Sequence, residues 1–180
     1  RRAWPGSSRA ETARPSYFLA VVALDGVASA TFVDFAASLP RATARSSAQE
    51  PASAGDALIC CLTDTSIDII QGGAPHTQSP SDPGPGYTIK DEGSGYTYVP
   101  GDLVMARTSA ANSAGAQYFF CAGSACSQLN SQGTYVVFAH VTSGLPLLEQ
   151  ILASNENENN GLGGAPSKLV TVKTVAITES

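Results

Sequence analysis

The chain has 180 residues, 43% of them hydrophobic and 14% charged, with a net charge of -5. That length and apolar content suit one globular domain with its own core, and the sparse, acidic charge excludes a nucleic-acid backbone binder, which carries a basic stripe. The longest uninterrupted apolar run, Tyr17 to Leu24, is eight residues, against the ~20 needed to cross a bilayer, so no membrane-spanning segment is expected.

Residues 1–16 (RRAWPGSSRAETARPS) hold four of the seven arginines and two prolines without apolar periodicity, and read as an extended arm ahead of a domain over residues 17–180. A start without Met fits either the end left by removal of a targeting sequence or simple trimming. Localisation stays open between an imported organellar protein and a bacterial extracytoplasmic one. Tyr17 to Leu24 and Ala28 to Phe35 form a hairpin around the Asp25-Gly26 turn signal. Leu39-Pro40 introduces a short helix to about Glu50, and Ala57 to Leu62 is a strand that Thr63 to Ser66 interrupts.

Ile67 to Gly73 (IDIIQGG) is an apolar strand running into a proline-rich loop, Ala74 to Gly86, that no central strand would tolerate. Tyr96 to Val99, Leu103 to Arg107, Gln117 to Cys121 and Tyr135 to Val141 read as strands. Ala110 to Ala116 and Ala122 to Gly133 read as loops between them. Leu145 to Ala153 is a second helix, Asn155 to Gly164 (NENENNGLGG) is a low-complexity loop, and Lys168 to Ile177 alternates as a closing strand.

The four cysteines, Cys60, Cys61, Cys121 and Cys126, lack the spacing of a zinc site, and His76 and His140 stand in unrelated contexts. Cys121 and Cys126 are five residues apart, and two readings stay open for them: a small disulfide loop in an oxidising compartment, or buried thiols.

Several blocks resemble the cyclophilin family of peptidyl-prolyl cis-trans isomerases. Ile70-Gln71-Gly72-Gly73 resembles its I-Q-G-G-D strand, Gly84-Pro85-Gly86-Tyr87 its G-G-P-G-Y loop, and Met105-Ala106-Arg107 its M-A-N strand. Gln117 to Phe120 resembles the end of its G-S-Q-F-F strand, and Tyr135 to Val141 its V-V-F-G-x-V strand. The resemblance implies a mainly β fold, a closed eight-stranded antiparallel cyclophilin-like barrel with two short helices, which leaves no exposed edge.

It also implies a site. Rotation about an X-Pro bond meets a barrier of roughly 18–20 kcal/mol set by amide conjugation. It requires no nucleophile, metal or cofactor. An apolar socket, groups gripping the flanking peptide and a cation that polarises the imide nitrogen suffice. In the family that cation is the arginine of an F-H-R motif upstream of I-Q-G-G. The stretch Leu58 to Gln71 contains no arginine, and the family position falls on Cys61, with Leu62-Thr63 then matching L-T, or on Thr63 if no gap is allowed.

The peptide-binding positions carry over to Gln71, Ala106, Arg107, Gln117, Phe119, Leu129 and Tyr135, with Arg107 replacing an asparagine and Tyr135 a histidine. Asp68 takes the place of an aromatic socket wall, Ile69 that of a methionine and Gln128 that of a tryptophan. The expectation is a cyclophilin-like domain with impaired or lost isomerase activity, serving as an interaction or accessory subunit of a larger assembly; the alternative is an active isomerase assisting proline-containing clients. Its partners on either reading are proteins or proline-containing peptides.

Overall fold

The computed structural model describes residues 20–24, 31–37, 58–59, 62–76, 82–157, 163–168 and 170–174. The expected arm at 1–16, the Asp25-Gly26 turn, the helix from Pro40 to Glu50 and the pair Cys60-Cys61 lie outside these residues. The strands are β1 (Ala20–Leu24), β2 (Thr31–Ala37), β3 (Leu58–Ile59), β4 (Leu62–Asp64), β5 (Ile69–Gly72), β6 (Asp102–Met105), β7 (Tyr118–Cys121), β8 (Val137–Ser143), β9 (Asn155–Asn157), β10 (Gly164–Pro166) and β11 (Val170–Thr174). A 3-10 helix spans Ser124–Ser131, and α1 spans Leu145–Ala153.

All strand pairs are antiparallel, in the order β3-β11-β1-β2-β8-β6-β7-β5-β4-β10-β9. Among the described residues this is an open order of eleven strands where the sequence suggested a closed ring of eight. Two gains, set against the loss of the strand expected over Tyr96 to Val99, account for the count. The single strand expected over Ala57 to Leu62 is divided into β3 and β4, and the segment read as a low-complexity loop supplies β9 and the start of β10. Ile59 and Leu62 are three residues apart and therefore at most ~11 Å apart, so β3, at one end of the order, is tethered beside β4, third from the other.

The core lies on both sides of the sheet. On one side α1 starts at Gly144, whose φ of 91° suits glycine, and has Pro146 in its first turn, where a missing N–H is tolerated. Its Leu147, Leu148, Ile151 and Leu152 recur at helical spacing and pack against Ile70, Ala122, Val141 and Val170. Each buried side chain of this kind stabilises by about 1.5–3 kcal/mol. On the other side Ile69, Tyr98, Val104, Phe119, Cys121, Cys126, Leu129 and Val137 form a second cluster.

The 3-10 helix replaces the loop expected at Ala122 to Gly133. Its sequence lacks α-helical periodicity, but residues three apart eclipse in a 3-10 helix, and Cys126 and Leu129 are its two buried residues. Cys121 and Cys126 are joined by a disulfide, with both cysteines fully buried, which decides between the two readings of the pair. Tyr96 to Val99 is not a strand. Its backbone N–H groups find partners off the sheet, Tyr96 on the Gly133 carbonyl and Tyr98 on the Asn130 side chain.

Candidate functional site

The register of the sheet gathers most of the expected site residues. Gln71 on β5 stands opposite Phe119 on β7 and Leu62 on β4, and directly opposed residues share a face. Its Nε2 donates to Oε1 of Gln117 at 2.7 Å, and the Gln117 carbonyl accepts from the Ala106 N–H at 3.0 Å. Phe119 is buried, 3% exposed, and meets the Tyr135 ring edge-on with centroids 5.6 Å apart. Leu129 joins the same cluster from the 3-10 helix, with Ala106 and Tyr135 packed against it. Gln71, Ala106, Gln117, Phe119, Leu129 and Tyr135 therefore form one apolar patch edged by two amides.

Arg107 is turned elsewhere. It is the one arginine among the described residues, and its side chain is only 8% exposed. Nη1 lies 2.8 Å from Oδ2 of Asp91 and donates to the Thr134 carbonyl at 3.2 Å; Nη2 donates to the Ala110 carbonyl at 2.8 Å, and Nε to the Thr108 carbonyl at 3.2 Å. Asp91 also accepts from the Asn112 N–H, and Asn112 in turn accepts from the Asp91 N–H. The guanidinium thus clamps three loop segments together.

The two candidate arginine positions separate. Thr63 is fully buried, stands opposite Ile70 and donates its hydroxyl to Oδ1 of Asn155 at 2.5 Å. Since successive strand residues alternate faces, it lies on the side of the sheet away from Gln71. Cys61 lies outside the described residues.

Asp68 is engaged in holding the turn between β4 and β5. At φ 51° it closes the turn between β4 and β5, its carbonyl accepts from Ala122 N–H and its Oδ2 from Ala125 N–H, both at 2.8 Å. Asp is one of the few residues that visits this conformation at modest cost. Gly123 has no room for a side chain beside that carboxylate. Gln128, on the exposed side of the 3-10 helix, donates to the Ser66 carbonyl at 2.9 Å, so two polar residues expected along the socket tie the helix to the β4–β5 turn. Ile69 is buried in the core.

Sequence reasoning missed Tyr98. Only 1% exposed, it accepts a hydrogen bond from the Tyr135 N–H at 2.9 Å and donates to the Tyr135 carbonyl at 3.0 Å. The available signal was that a buried tyrosine needs a partner for its hydroxyl. Burial, above all, pushes the Tyr98 hydroxyl up to about 12, with smaller effects from its neighbours of both signs. The neutral form is favoured by folding, so the Tyr98 contribution to stability is constant below pH 10 and is lost as pH rises from 10 towards 12, by roughly 2–3 kcal/mol. Urea midpoints measured at pH 9, 10 and 11 should decline over the last step, and Tyr98→Phe should flatten that decline. An equal decline in the variant would refute the assignment.

His76 is exposed, and its backbone N–H donates to Asp82, while His140 pairs through Nδ1 with Asp102 at 2.9 Å. Neither histidine joins the patch. Among the described residues no three His, Cys, Asp or Glu are grouped to hold a metal ion, and no helix is long and apolar enough to cross a membrane.

The fold is that of a cyclophilin-type β domain. The chain superimposes on a crystal structure of a cyclophilin type peptidyl-prolyl cis-trans isomerase of Cryptosporidium parvum with a TM-score of 0.68 at 22% identity, covering 92% of this chain and 99% of that one. A second structure of that protein, in the presence of the dipeptide Ala-Pro, gives a TM-score of 0.67 at 23% identity over 91% and 99%. Residues 65–177 match the family model described as cyclophilin type peptidyl-prolyl cis-trans isomerase/CLD. The chain belongs to the cyclophilin-type peptidyl-prolyl cis-trans isomerase family. It is 42% identical over 79 residues to peptidyl-prolyl cis-trans isomerase B of Bacillus subtilis (strain 168), a match covering 43% of this chain and about half, 51%, of that relative.

Proposed function

We propose that this domain binds proline-containing peptides at the patch of Gln71, Ala106, Gln117, Phe119, Leu129 and Tyr135, isomerises them weakly or not at all, and serves as an interaction or accessory module in a larger protein assembly. The observation that carries the reading is the position of Arg107: the guanidinium among the described residues is spent on Asp91 and three carbonyls. What is left at the patch is the half-buried Ala106 and Tyr135 over the buried Phe119 and Leu129, with two amides, which suit gripping a peptide. Polarising an imide nitrogen needs a preorganised donor, and losing one such group lowers a rate by about 10²–10³. The related parasite structure was obtained in the presence of the dipeptide Ala-Pro, which supports the ligand class.

A proline tetrapeptide assay tests this directly. Saturable binding is expected, with kcat/KM about 10²–10³ below that of arginine-bearing relatives, and matching efficiency would overturn the reading. For the accessory role, the chain should co-purify with other proteins; isolation as a lone monomer would count against it. The 42% identity to the Bacillus isomerase favours a second reading, an active isomerase, which would need a cation other than Arg107.

A further inference from the structure

We infer that Tyr98 and Asn130 are positioning residues that set the spacing of the socket walls. The inference rests on the peptide-binding reading above and deepens it.

Two walls come from residues that lie outside the strands. Leu129 rides on the 3-10 helix Ser124–Ser131, and Tyr135 lies just before β8, outside any strand. Between them run five residues, including Gly133, whose φ is 58°. Neither Leu129 nor Tyr135 has a strand ladder to hold it against Phe119.

Tyr98 bridges this gap from a third segment. Its backbone N–H donates to Oδ1 of Asn130 at 2.7 Å, next to Leu129. Its hydroxyl engages both backbone polar groups of Tyr135, at 2.9 Å and 3.0 Å. Its ring also meets the Tyr135 ring edge-on, with centroids 6.2 Å apart, and the Tyr135 ring in turn meets Phe119 at 5.6 Å. One residue thus fixes the helix through its main chain and the tyrosine wall through its side-chain tip. A hydroxyl that satisfies an N–H and a C=O of the same residue restrains that peptide in position and orientation, which a single bond would not do. Asn130 is itself exposed, so its side chain is placed to hold Tyr98 rather than to fill the core.

The test uses the full chain and the peptide Ala-Ala-Pro-Phe. Tyr98→Phe keeps the ring and deletes only the hydroxyl; its affinity is expected to fall about 5- to 20-fold. Asn130→Ala should weaken binding about 3- to 10-fold, and Asn130→Asp, which keeps the acceptor oxygen, should restore it to within about twofold. Ile151→Val, which loosens the separate core cluster under α1, controls for lost stability and should leave affinity unchanged. Hydrogen exchange at the Tyr135 amide supplies a readout independent of the peptide: it should accelerate in Tyr98→Phe and not in Ile151→Val. If Gln117→Ala weakens binding while Tyr98→Phe and Asn130→Ala do not, the positioning role is overturned and peptide binding stands. If the wild-type chain does not bind the peptide, the binding reading falls and the positioning role falls with it, even where the amide exchanges faster.

Discussion

Arg107→Ala should lower the unfolding free energy by about 3–5 kcal/mol, because it leaves a largely buried carboxylate without its countercharge. Asp91 has 18% of its side chain exposed, and its Oδ1 is buried without a hydrogen-bond partner, so Oδ2 carries the interaction with Arg107. Three loop carbonyls, of Thr108, Ala110 and Thr134, lose donors at the same time. Against a total of roughly 5–15 kcal/mol for a domain, the loss is severe. Arg107→Lys should recover only part of it, since a compact ammonium cannot reach acceptors spread around a planar fork. In urea unfolding, the double variant Asp91→Ala, Arg107→Ala should be less destabilised than the sum of the two single changes. A loss below about 1 kcal/mol in Arg107→Ala would show that the clamp contributes no more than an exposed ion pair.

The second large effect is a gain. Cys61→Arg, at the position that the Leu62-Thr63 match gives to the family arginine, should raise kcat/KM for a proline peptide by about 10²–10³, the size of one preorganised electrostatic group, while peptide affinity changes little. Thr63→Arg provides the contrast. Thr63 is fully buried, faces away from Gln71 and bonds Asn155, so a guanidinium there would lose its hydration without gaining an anion, and the variant should fail to accumulate as folded protein. If Cys61→Arg stays folded, binds peptide and remains inactive, the missing cation is not what limits this domain.

Much of the architecture was legible because it depends on local pattern. The strands around Gln71, Leu103, Phe119 and Val137 are short apolar runs between glycine-bearing turns, and α1 follows a Gly-Leu-Pro start with leucines at helical spacing. The 3-10 helix was not legible, because a disulfide and the Asp68 carboxylate hold it rather than any periodicity of its own. Asp68 and Gln128 were assigned to the socket by position, yet both serve the turn beneath it. A one-dimensional register places a residue in order but leaves open which way a turn points its side chain.

The family, the antiparallel strands that carry Gln71 and Phe119, and the absence of an arginine from the stretch leading into them can all be read from the order of residues. What Arg107 does depends on the folded chain, since its partners come from Asp91 and Thr134, sixteen and twenty-seven residues away. The same holds for Tyr98, whose hydroxyl meets a backbone thirty-seven residues on. Charges and hydroxyls are short-ranged in their hydrogen bonding but indifferent to sequence distance, so their roles emerge only when the loops that bear them are brought side by side.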